Sequence, residues 1–239
     1  MHEMITHKMK SYKILLTILI LVVISINCEQ RKSISSESKL TSDTINSKDE
    51  ITLTEKQKRI LDGAKQNLKD EAKYDLSMAY YVLKYKDGEF KEVKVYPGGD
   101  LDPKIGVCTD VIIRSLRNAK IVDLQEAVQK DISANKNNYP FSRWGNKKPD
   151  SNIDHRRVMN LEVWFANHWS AGDMKNFLPG DIVVWDMNED GTSDHIGIVS
   201  DKKEGERYFV IHNHPDPGHI AEEDKLFKWK VVGHFRMKE

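Results

Sequence analysis

HIGIVSDKKEGERYFVIHN, residues 195–213, decides how this chain folds. Two apolar, alternating runs, HIGIVSD and YFVIHN, flank the polar link KKEGE. That pattern predicts an antiparallel hairpin. Folded symmetrically about its link, the hairpin sets position 195 against position 212. Directly opposed residues share a face, with Cβ atoms about 5 Å apart. His195 and His212 are therefore expected side by side, and a slip of one residue offers Asn213 instead. DIVVW precedes this hairpin and KVVGHFRM follows it, both short and apolar. Helical patterns come earlier in the chain. Helices first and adjacent strands afterwards predict an α+β fold with an antiparallel sheet.

The helical patterns begin at Thr54 and Gln57, which are spaced as a capping box. Ile60, Leu61, Ala64 and Leu68 follow on one helical face. Residues 89–96 alternate as a strand before the turn PGGD. Residues 126–134 and 161–169 are further helix candidates. Between them Cys108 opens a helix whose apolar side is Val111, Ile112 and Leu116. A helix start offers unpaired backbone N–H groups and the positive end of the dipole, and both favour a thiolate. A nucleophile also needs a base and a group to orient that base. His195 and His212 supply that pattern. The helix at Cys108 is then expected to cover the face bearing His195, Gly197, Val199, Tyr208 and Val210. Gly197 is the small residue that admits it.

The chain has 37 basic and 37 acidic residues, which argues against nucleic acid as a partner. Lys8, Lys10 and Lys13 precede the apolar run ILLTILILVVISI. That run has 13 residues, while a helical span takes about 20. A basic flank and a short apolar run predict a secretory signal. Cys28 follows it in SINC, which resembles the lipobox of bacterial lipoproteins, although Asn27 departs from the usual small residue. The resemblance implies lipidation at Cys28 and a membrane-anchored, exported protein of the bacterial envelope. Only Cys28 and Cys108 exist. A lipidated Cys28 leaves Cys108 without an intramolecular disulfide partner, and an unpaired thiol in an oxidising compartment needs a reason. Residues 29–50 hold six Ser, two Thr and three large apolar residues, too few to offset the entropy of ordering them. The expected layout is a signal over 1–28, a Ser-rich tether over 29–53 and one domain over 54–239.

YPGGD, GVCTDVIIR, NIDHRRVMNL, PGDIVVW, HIGIVSD, HN and GHFR occur here in this order. In that order they resemble the bacterial domain-of-unknown-function 1287 family, part of the NlpC-like branch of papain-like cysteine peptidases. The resemblance implies a papain-like, NlpC-like fold: a helix bearing the nucleophile packed on an antiparallel sheet. Carried over, Cys108 is the nucleophile, His195 the base and His212 the orienting residue. Tyr96, ahead of Gly98 and Gly99, is similar to a tyrosine-glycine feature upstream of the nucleophile, at a different spacing.

His212, His214 and His219 have the residue type of metal ligands, but no paired cysteine or HExxH accompanies them, so neither a metal nor a cofactor is expected. His155, Arg156 and Arg157 in NIDHRR are candidates for substrate binding, because guanidinium pairs bidentately with carboxylates. Tyr96 and Asn213 join them as substrate-contact candidates. The expected function is a cell-envelope cysteine hydrolase of an amide bond, with peptidoglycan stem peptides as substrate. An inactive envelope-binding module of the same fold and an acyltransferase are the alternatives.

Overall fold

The computed structural model describes residues 52–76, 79–145 and 148–238, with only the backbone of Trp144. The expected signal, Cys28 and all of the expected tether except Thr52 and Leu53 lie outside the described residues. The helices are α1 (Glu55–Leu68), α2 (Cys108–Asn118), α3 (Leu124–Asn135) and α4 (Val158–His168). The capping box at α1 forms in both directions, Gln57 N–H to Thr54 Oγ1 at 3.2 Å and Thr54 N–H to Gln57 Oε1 at 3.0 Å. Such an N-cap is worth about 1 kcal/mol. Asp123 caps α3 by accepting from the Gln125 and Glu126 N–H groups, so that helix begins two residues before the expected start.

The strands are β1 (Lys73–Tyr74), β2 (Tyr81–Lys86), β3 (Glu89–Lys94), β4 (Ile105–Gly106) and β5 (Ser170–Ala171). They continue with β6 (Ile182–Asp186), β7 (His195–Glu204), β8 (Arg207–His214), β9 (His219–Glu223) and β10 (Lys230–Arg236). β2 and β3 form a hairpin of their own. The other eight make one sheet in the order β4-β1-β9-β8-β7-β6-β10-β5. All its neighbours are antiparallel except β1 with β4. The fold is thus α+β with an antiparallel-rich sheet, as the order of patterns predicts.

The central strands are buried on both faces. Ile182, Val184, Ile196, Ile198 and Ile211 pack with Cys108, Val111, Ile112 and Leu116 in the main core. Val183, Trp185, Val199 and Val210 pack on the other side with Phe177 and Leu226. This corrects one expectation. The helix at Cys108 covers the isoleucine face, and Gly197 and Val199 belong to the opposite one. Gly197 admits an indole instead of a helix: a Cβ there would lie 3.0 Å from the Trp185 ring.

The hairpin register is corrected too. Near the turn Glu204 faces Arg207, but past an irregularity the pairs are Val199 with Val210 and Ile198 with Ile211. Continued to the start of β7, that register sets His214 opposite His195. The difference from the expected pairing is two residues, so His212 keeps the face of His195 and becomes its diagonal neighbour.

Candidate active site

β4 and the start of β7 meet Cys108, the first residue of α2. β4 leads into α2 through Val107, whose N–H donates to Asp110 Oδ2 at 2.8 Å. That contact fixes the angle at which the chain enters the helix. Cys108 is 7% exposed. Burial pushes its thiol up to about 12, against the pull of N–H groups from Ile196, Thr109 and Cys108 itself. The influence of the Ile196 N–H means that the sulfur lies near the peptide that joins His195 to Ile196. Asp110 adds a smaller push upward.

His195 is the first residue of β7, and its ring leaves on the face away from α2. It stacks on Trp185, with ring centroids 5.4 Å apart, and meets the edge of Trp229 at 5.4 Å. Its Nε2 is 2.7 Å from Nδ1 of His212. Nε2 of His212 is in turn 3.1 Å from Oε2 of Glu223. Both rings are buried, and burial holds both below the usual histidine range, His212 at about 4 despite Glu223. The two histidines are therefore neutral at pH 7. Nδ1 of His195 makes no hydrogen bond among the described residues, and none joins it to the thiol.

The structure brings Cys108, His195 and His212 to one end of β7 and separates the other candidates from them. Asn213 points to the helix face, where its amide donates to Ala72 O and Gly106 O, both at 3.2 Å. Alternation along β8 makes this unavoidable once His212 faces His195. Arg156 is not open to a substrate carboxylate. It is 8% exposed and binds Asp110 bidentately, Nε at 3.0 Å and Nη2 at 2.8 Å. His155 is buried edge-on against Tyr80, centroids 4.5 Å apart, and burial pushes it down to about 3. An Arg-rich stretch reads as solvated, but here a short 3-10 turn (Asp154–Arg156) tucks it under α2. Arg157 stays partly exposed, 3.7 Å from Asp154. Tyr96 is 39% exposed, with its electrostatic influence felt at Lys130 on α3. The tyrosine in electrostatic range of the thiol is Tyr74, whose hydroxyl is pushed up by burial and then by Cys108.

Trp185, Trp229, Glu223 and Lys225 belong to this site without having been singled out by sequence. Trp185 sits in the quoted run DIVVW, and period two from its register partner His195 would have placed it. Glu223 and Trp229 carry no such signal. Among the described residues, no group of three His, Cys, Asp or Glu side chains is arranged to hold a metal ion.

One motif family spans most of this architecture. The description "Domain of unknown function (DUF1287)" matches residues 61–237. This chain belongs to the DUF1287 family. The "Uncharacterized protein YijF" of Escherichia coli (strain K12) is 43% identical over 183 residues, covering 74% of this chain and 80% of that one. Among solved structures, NlpC1 from Trichomonas vaginalis is similar at a TM-score of 0.44 and 15% identity. That likeness covers 78% of this chain and 46% of that one, so this chain spans less than half of that protein. An N-acetylmuramoyl-L-alanine amidase from Bacteroides uniformis is similar at 0.46 and 12%, over 78% of this chain and 100% of that one. Likenesses this distant say nothing about chemistry, which rests here on the DUF1287 chain's own residues.

Those residues predict a thiol that is neutral at rest. For a group pushed up to about 12, the thiolate fraction at pH 7 is on the order of 10⁻⁵. Alkylation of Cys108 by iodoacetamide should be very slow at pH 7 and quicken about tenfold per pH unit above it. Mass spectrometry of the labelled chain checks this. Rapid labelling at pH 6 would instead reveal a preformed thiolate–imidazolium pair.

Proposed function

We propose that this protein is a cysteine hydrolase of amide bonds, with peptidoglycan stem peptides as the substrate class. One observation carries the reading: the Cys108 thiol, at a helix start, lies near the 195–196 peptide, where the His195–His212 pair begins. In the proposed reaction His195 takes the thiol proton as the sulfur attacks the carbonyl carbon. It returns that proton to the leaving amine, and water then hydrolyses the thioester. Backbone N–H groups at the start of α2, that of Cys108 among them, stabilise the oxyanion. Because the thiol is neutral at rest, the base is needed in the step itself. The imidazole packs beside Trp185 on the face opposite α2, so the proposed transfer requires His195 and Cys108 to meet around the first residue of β7 when substrate binds.

The substrate class is supported by the resemblance to the NlpC-like branch and by the export signal read in the sequence. Lipidation at Cys28 would hold the domain at the envelope. Cys28→Ala should then lose fatty-acid label and membrane retention, and a variant that keeps both excludes that anchor. The decisive experiment incubates the protein with purified cell-wall fragments and follows products by mass spectrometry. New amine and carboxyl termini that appear with the parent and not with Cys108→Ala support the reading. Fragments left intact by the parent protein reject it.

A further inference from the structure

The His195–His212 pair does not end at His212. Oε2 of Glu223 lies 3.1 Å from His212 Nε2 and 3.0 Å from Lys225 Nζ. One carboxylate oxygen thus serves both groups. Lys225 is in turn held by Asp216 O at 3.1 Å. We propose that Glu223, braced by Lys225, is a positioning residue that decides which nitrogen of His212, and through it of His195, carries hydrogen. The proposal builds on the reading of His195 as the base.

The donors and acceptors of each group fix where the hydrogens lie. A lysine ammonium can only donate. The oxygen it meets must therefore accept, and it accepts from His212 as well. His212 Nε2 consequently carries the hydrogen, and a neutral imidazole has only one N–H. Its Nδ1 is left with a lone pair, directed at His195 Nε2 from 2.7 Å. That contact is a hydrogen bond only if His195 Nε2 donates. His195 Nδ1 is then the nitrogen with the free lone pair, the atom that can receive a proton from a thiol. Both rings are neutral near pH 7, since burial lowers both, so neither can donate from both nitrogens. The ring that a hydrogen bond does not fix is free to take either tautomer. Without Glu223, nothing on β9 selects the productive arrangement of His212, whose ring is fully buried.

Glutamine at position 223 keeps the arrangement, because Lys225 still demands an acceptor and holds the amide oxygen toward His212. Leucine at 223 has no acceptor. The test records ¹⁵N spectra of the histidines in the full chain at neutral pH, with kcat and KM on the same cell-wall substrate. The parent protein and Glu223→Gln should both show protonated Nε2 and lone-pair Nδ1 on His195 and His212. Glu223→Leu should lose that single pattern, with kcat down about 10- to 100-fold and KM little changed. A parent spectrum with His212 protonated at Nδ1, or a Glu223→Leu spectrum unchanged from it, overturns the proposal. If the tautomers respond as expected while the parent cleaves nothing, the hydrolase reading fails and the role of Glu223 in setting the tautomers stands.

Discussion

His195→Gln should lower amide hydrolysis on the order of 10²- to 10⁴-fold, the usual worth of a general acid–base. Glutamine is the informative choice because His195 is only 2% exposed and packed between Trp185 and Trp229. Alanine would leave a cavity beside both indoles and confound activity with stability. Glutamine conserves most of the volume and can still donate to His212 Nδ1. It cannot accept and return a proton at neutral pH. Since burial pushes the thiol up to about 12, water at pH 7 is a poor substitute for that base. His212→Asn should keep far more turnover, because an amide oxygen in place of Nδ1 still accepts from His195. Turnover and urea midpoint for each variant, on one substrate, are the measurements. Parent-level activity in His195→Gln rejects the base assignment. A large fall in urea midpoint in both variants would make the histidine pair structural.

The second large effect concerns stability. Arg156 and Asp110 are an ion pair with side chains only 4% and 1% exposed. Tyr80 OH also donates to Asp110 Oδ1, at 2.7 Å. Burial alone would raise the Asp110 carboxyl, but Arg156, Tyr80 and the Val107 N–H outweigh it and hold the group below the ordinary carboxylate range. Arg156→Leu strands that charge in the core and should cost about 3–5 kcal/mol at pH 7. The pH dependence gives the sign. In the parent, the folded carboxyl is depressed, so its contribution is present above the unfolded value of about 4 and lost as pH falls through the folded value. In the variant, only Tyr80 and the Val107 N–H are left to oppose burial, so the carboxyl rises and stability falls as pH climbs from about 4. The gap between the two proteins should thus be widest near neutrality and narrow in acid. Urea midpoints at pH 7 and pH 4 measure it. A gap that is small, or equal at both values, removes Arg156 from its structural role.

Arg156 also shows where sequence stops being informative. Its neighbourhood, NIDHRR, has the composition of a solvated loop. Its partner Asp110 is 46 residues away, and only the docking of that loop under α2 brings them together. By contrast, the features legible in sequence are local ones. The capping box of Thr54 and Gln57 spans four residues. Cys108 at a helix start follows from the apolar spacing after it. The shared face of His195 and His212 survives even an error in register, because the error was even and strand side chains repeat every two residues.

The sequence by itself determined helices α1 to α4, the strands at β3, β6, β7, β8 and β10, the helix-start cysteine and, through the order of its motifs, the resemblance to its family. The helices, strands and helix-start cysteine rest on contacts within a few residues or on a periodicity that needs no partner; the family rests on motif resemblance alone. The tertiary structure decided which sheet face α2 covers, that Gly197 makes room for Trp185, and that Glu223 and Lys225 stand behind His212. Those choices compare whole surfaces. Ile196 and Ile198 on one face and Val199 and Trp185 on the other are equally apolar, so hydrophobicity alone cannot rank them. Close packing of the full set of side chains does, because only one assignment fills the space on both sides of the sheet.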